Sequence, residues 1–143
     1  MAKVYLTRVE RFNAAHKLWV KAWTDEENIS MFGKCANKNW HGHNYSLHVT
    51  VSGSPDPVKG FIIDAKKLSV IIKERVIEDL DHSNLNLDVA WIPEDMQPTT
   101  ENLTILIWQR RAIDDRQGNW GHSNLPAHGG NVSPAAEHPL AFL

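Results

Sequence analysis

The segment FGKCANKNWHGHNY, Phe32 to Tyr45, concentrates side chains that can bind a metal or move a proton. It holds Cys35, the chain's only cysteine, and His41 and His43, separated by one glycine. Tyr45, Leu47, Val49 and Val51 follow, alternating with Ser46, His48 and Thr50. Such alternation predicts a half-buried strand. Successive strand side chains point to opposite faces, so His41 and His43 share one face, about 7 Å apart along it, and His48 points away. Two imidazoles so placed can converge on one ion. His16, after Phe12-Asn13-Ala14-Ala15, is a third candidate. Three neutral imidazoles with one open position is the pattern of catalytic zinc, although imidazole also suits copper, nickel and iron. Surface histidines beside a strand are the plainer reading.

Cys35 has three readings. A free cysteine is commonly a small buried apolar residue. This one stands in a polar stretch between Lys34 and Lys38, where cations or a metal favour the thiolate. It could also close a structural zinc site as a fourth ligand. Asp81-His82 could form a general acid/base pair, the carboxylate orienting the imidazole, but at a helix end a solvated cap is the plainer reading of the two residues. Thr99, Thr100 and Glu101 fit a helix start and its dipole. Lys17, Lys21 and Lys34 read as solvated surface lysines. No phosphate-binding glycine loop, dinucleotide fingerprint or serine nucleophile motif is present.

Several elements must position these groups. Residues 3–12 are rich in Val, Tyr, Thr, Leu and Phe and suit a first strand. Residues 17–42 lack a clear period and read as a long, partly ordered loop. The strand at about 43–52 ends in the turn signal SGSPDPVKG, after which Phe61, Ile62 and Ile63 could extend it briefly. Asp64 can cap a helix whose buried stripe is Leu68, Ile71, Ile72, Val76 and Leu80. DHSNLNLD (81–88) reads as a loop, and a second helix starts near Pro98 with Leu103, Leu106 and Ile107 buried. Residues 116–143 carry neither period. Glycine and proline are dense there, His122, His128 and His138 are its histidines, and the stretch reads as irregular.

At 143 residues the expectation is one domain with a modest core. A formal charge of -2 argues against nucleic acid. The charged start MAKVYLTRVERF and the lack of a long apolar run argue against a signal peptide and a membrane span. A single cysteine fits a reducing cytoplasm.

FNAAH (12–16), DEEN (25–28), FGKCANKNWHGHNY (32–45), DPVKGFIID (56–64), LDHSNLNLDV (80–89) and PTTEN (98–102) occur together in this order. As a set over residues 3–115 they closely resemble the 6-pyruvoyltetrahydropterin synthases and the related 6-carboxytetrahydropterin synthases. The resemblance implies an α+β T-fold, an antiparallel four-stranded sheet with two helices on one face, assembled as a homohexamer of two trimers. It implies a zinc-dependent lyase acting on 7,8-dihydroneopterin triphosphate bound between subunits. By position, His16, His41 and His43 match the zinc ligands, Cys35 the proton-abstracting base, and Asp81 and His82 the partner pair. Thr99, Thr100 and Glu101 match residues lining the pterin pocket. The product would be 6-pyruvoyltetrahydropterin, the spacing between Cys35 and His41 leaning that way. The carboxy branch, on the route to queuosine, uses the same pterin and loses acetaldehyde.

The resemblance stops at about Asp115. The family continues into two further strands, the first with a glutamate that anchors the pyrimidine edge of the pterin. Nothing in 116–143 matches it, and Glu137 lies in the wrong context. The division expected is therefore a synthase-like domain, 1–115, and an atypical tail, 116–143. The sheet would keep two strands with an exposed edge, and stability, assembly and pterin binding would suffer, so that a catalytically impaired zinc-binding relative of the family is the non-enzyme alternative.

Overall fold

A computed structural model describes residues 2–116 and 140–142. Its frame is a pair of long antiparallel strands, β1 (Val4–His16) and β2 (His41–Gly53), paired without interruption from Val4 opposite Gly53 to His16 opposite His41. Alternation makes the two faces unlike. Phe12, Ala14, Tyr45 and Leu47 point to one side, where they join the core with Leu68, Ile72, Leu80, Leu103 and Ile107. Phe12 and Tyr45 stack across the strands with ring centroids 4.7 Å apart. The same parity carries His16, His41 and His43 on the core side, at the end of the ladder.

The helices form where capping and periodicity coincide. Asp64 accepts from Lys66 N–H and Lys67 N–H and starts α2 (Ala65–Ile72). This helix continues through a π-turn, Lys73–Ile77, into α3 (Glu78–Leu80). Leu68, Ile72, Val76, Ile77 and Leu80 are buried along it. α4 (Thr100–Arg116) buries Leu103 and Ile107. Its N-terminus is held by Thr99, whose Oγ1 accepts from Asn102 N–H at 3.3 Å.

Four readings of the sequence change. Residues 17–42 are not a continuous loop: they contain α1 (Asp25–Phe32) and a 3-10 turn, Gly33–Ala36. Thr24 and Glu27 form a reciprocal capping box at the start of α1. Residues 81–88 contain β3 (Ser83–Asn84), parallel to Ala14–Ala15. Within the tail, β4 (Leu140–Phe142) pairs antiparallel with Ser46–His48 of β2. The sheet order is thus β3-β1-β2-β4, four strands rather than two, and part of the β2 edge is covered. Phe61, Ile62 and Ile63 do not extend β2, although Ile63 packs against the core. His122, His128, His138 and Glu137 lie outside the described residues.

Candidate metal centre and proton-transfer pair

The last pair of the β1–β2 ladder sets His16 beside His41, and two pairs earlier Ala14 stands opposite His43. His16 Nε2 lies 3.2 Å from His41 Nε2 and 2.9 Å from His43 Nε2. Nitrogens bound tetrahedrally to one zinc ion at about 2.0–2.1 Å are about 3.3–3.4 Å apart, so the spacing is close to that of ligands sharing an ion. His16 is 5% exposed, and its Nδ1–H can donate to Pro98 C=O at 2.9 Å. That bond leaves Nε2 with its lone pair toward the other histidines, the usual outer-shell support of a metal-binding histidine. Burial first, then the neighbouring imidazoles, hold His16 below the ordinary histidine range against the raising effect of Pro98. His43 is lowered by burial and by His41. Both shifts favour the neutral, ligating form.

Cys35 joins this group from the 3-10 turn: its sulfur and the three histidine nitrogens all lie within 4.8 Å of one another. Gly33 at φ +54 ends α1 and starts that turn. Trp40 at φ +60 then redirects the chain into β2 immediately before His41. Tyr45 is pushed up to about 12, by burial and secondarily by Cys35, and stays a phenol.

Beyond His16 the strand partner is gone, and side-chain amides replace it. Asn86 Oδ1 accepts from Lys17 N–H at 2.8 Å and its Nδ2 donates to Lys17 C=O at 2.9 Å. Gln97 does the same for Trp19, at 2.9 and 2.6 Å. Asn28, fully buried, does so for Val20 at 2.7 and 3.0 Å and also donates to Thr24 C=O. Between them, Leu18 N–H donates to Cys35 C=O at 2.8 Å.

Asp81 and His82 follow α3. Asp81 Oδ1 accepts from Asn13 N–H at 2.9 Å, and Oδ2 lies 3.0 Å from His82 Nδ1. The Asn13 N–H, opposed by burial and aided by His82, holds Asp81 below the usual carboxylate range. His82, at φ +58, is anchored by its N–H to Asn13 C=O at 2.6 Å. An open cleft of about 490 Å³ is lined by His43, Asn44, Asn13 and His82 among others, so His43 of the cluster and His82 of the pair face one opening. Thr99, Thr100 and Glu101 do not line it. Thr99 caps α4, Thr100 lines a separate small cavity with Phe12 and Leu103, and Glu101 is exposed.

The amides of Asn28, Asn86 and Gln97 were not singled out by the sequence reading. Asn28 and Asn86 lie within its motifs DEEN and LDHSNLNLDV, but their partners are backbone groups, which carry no sequence signal. Gln97 stands just before PTTEN.

The family described as 6-pyruvoyl tetrahydropterin synthase matches residues 5–121. A 6-pyruvoyl tetrahydrobiopterin synthase of Pongo abelii is 44% identical over 97 residues, 68% of this chain and 66% of the relative. One of Poecilia reticulata is 44% identical over 108 residues, 76% of this chain and 73% of the relative. The match thus spans about two thirds of the length of the curated relatives. A structure of the Caenorhabditis elegans 6-pyruvoyl tetrahydropterin synthase superposes with a TM-score of 0.69 at 38% identity, covering 77% of each chain. With the T-fold likeness, the shared motifs and the clustered histidines in agreement, the chain belongs to the 6-pyruvoyl tetrahydropterin synthase family.

Proposed function

We propose that the chain is a zinc-dependent lyase that converts 7,8-dihydroneopterin triphosphate to 6-pyruvoyltetrahydropterin with release of triphosphate. The observation that carries this reading is the meeting of His16, His41, His43 and Cys35 within 4.8 Å, in a chain whose relatives are named as synthases of this product. His16, His41 and His43 would hold the ion. Bound zinc supplies a Lewis acid toward side-chain hydroxyls of the substrate and so acidifies the adjacent C–H. The chain's own groups handle the protons. Cys35, close to all three histidines, takes one from the substrate carbon. Asp81 keeps a proton on His82 Nδ1, which leaves Nε2 free to exchange another from the cleft. Tyr45, buried and protonated, adds no competing anion.

The rest of the reading follows the family. Thr99, Thr100 and Glu101 belong to the pterin pocket, which is completed between subunits of a homohexamer working in the cytoplasm. Residues 1–115 form the catalytic domain and 116–143 its divergent tail. None of the helices among the described residues is long and apolar enough to cross a membrane.

Mass-resolved turnover of 7,8-dihydroneopterin triphosphate by zinc-loaded protein is the test. Formation of 6-pyruvoyltetrahydropterin with triphosphate is the expected result. Acetaldehyde with 6-carboxytetrahydropterin would move the chain to the carboxy branch. Folded, zinc-bound protein that releases no triphosphate would refute the lyase assignment.

A further inference from the structure

Where β1 loses its strand partner, the chain still runs extended, and something must satisfy its backbone. We propose that Asn86 and Gln97 are positioning residues that hold this extension in place, and through it fix His16 and Cys35 relative to each other. The proposal rests on the metal and proton roles given above to His16 and Cys35.

The ladder ends at His16 opposite His41. On the next residues a neighbouring strand would offer one acceptor and one donor to alternate positions. Asn86 offers both to Lys17, and Gln97 offers both to Trp19. Two residues apart, Lys17 and Trp19 present the same edge. Leu18, between them, presents the other edge, and its N–H reaches Cys35 C=O. One short segment is therefore gripped by the 84–98 loop on one side and holds the Cys35 turn on the other.

Gln97 is itself fixed. Its carbonyl accepts from Thr99 N–H at 2.8 Å and from Asn102 Nδ2 at 2.9 Å. Pro98, the next residue, is fully buried, and its carbonyl receives His16 Nδ1. The start of α4 thus fixes a dipeptide that orients the His16 ring by its backbone and grips Trp19 by its side chain, next to the Leu18 that holds the Cys35 turn. The chemistry is specific to a primary amide. A carboxylate accepts but cannot donate, so a glutamate at 97 would set an oxygen against Trp19 C=O.

Gln97→Glu and Asn86→Asp are the tests, each nearly isosteric. The proteins are loaded with cobalt(II), whose visible spectrum reports ligand geometry, and kcat and KM are measured on the zinc forms. The expected result is an altered cobalt spectrum and a kcat lower by between about tenfold and a hundredfold, as for a misplacement near 1 Å, with KM within about twofold. Folded variants with the wild-type cobalt spectrum and kcat would overturn the proposal, even if their melting temperature had fallen. Should the charged variants fail to fold, Asn86→Ala and Gln97→Ala remove the amides without adding charge and are judged by the same readouts. If wild-type protein does not turn over the pterin, the function proposed above fails, while the cobalt spectra still decide whether the amides position the histidine site.

Discussion

Deleting Glu74 should leave the protein folded, whereas inserting one alanine after it should not. An α-helix turns about 100° per residue. On a regular helix from Leu68 to Leu80, the buried residues Leu68, Ile72, Val76, Ile77 and Leu80 would fan over about 180°, too wide for one face against the sheet. Removing one residue between Ile72 and Val76 draws the same five side chains into about 100°. The π-turn at Lys73–Ile77 does this while retaining the extra residue. Glu74 is exposed, so its deletion lets the turn relax to an ordinary α-helix with the stripe and Asp81 still in phase. The expected change in stability is within about 1 kcal/mol, as for a surface change. An insertion rotates Val76, Ile77 and Leu80 by about 100° more. Exposing three such side chains costs roughly 4.5–9 kcal/mol at about 1.5–3 each, close to the whole stability of a small domain. Urea unfolding followed by circular dichroism measures both. A deletion as damaging as the insertion would refute the phase argument.

Cys35→Ala should keep the zinc content measured by elemental analysis while turnover falls by about 10²–10⁴, the usual worth of a positioned proton-transfer group; loss of zinc would instead make the thiol a ligand. His43→Ala should lower zinc content, measured the same way after equal loading. Glu10 is buried beside Arg8, Ser69 and Lys73. Burial pushes its carboxyl up, but the Ser69 and Arg8 hydrogen bonds and the two cations together hold it below the ordinary range. A lowered folded value stabilises above the unfolded value of about 4.3 and is lost as pH falls through the folded one. The stability gap between wild type and Glu10→Gln should therefore be full near neutral pH and close in acid, read from urea midpoints across pH. Thr24→Ala should cost about 1 kcal/mol through the lost capping box, read from the same unfolding curves.

The β1–β2 frame was legible because strand parity and chemistry coincide: one alternation places Tyr45 and Leu47 in the core and His41 and His43 beside them. The α2 stripe was legible for the same reason, apart from Ile71, which is only partly buried. The α1 helix was not, because Asn28 is its only buried residue and no apolar period marks it. The Thr24-x-x-Glu27 capping box was its one written signal. β4 escaped because three residues are too few to show alternation. The approach of Cys35 to the histidines was one of three readings of that residue and spacing could not choose it, since it depends on a 3-10 turn and a left-handed Trp40. The amide grip on Lys17 and Trp19 pairs side chains with backbone nearly seventy or eighty positions away, where residue type says nothing about the partner.

The long connection between β1 and β2 has a further consequence. A tight hairpin turn would dictate which residues face each other, but here twenty-four residues separate His16 from His41, and the turn dictates nothing. The apolar pattern rejects any odd slip, which would invert both faces. It is nearly blind to a slip of two, which shifts the strands by about 6.6–6.8 Å and still buries one face. His43 already lies two residues along from the partner of His16 and still reaches it, but a slip that sets His16 opposite Asn39 carries His43 four residues along, about 13 Å, whereas two nitrogens on one zinc ion can be no more than about 4.2 Å apart. Metal capture would act as a proofreader of strand alignment against a slip in that direction, since that pairing cannot gather all three histidines.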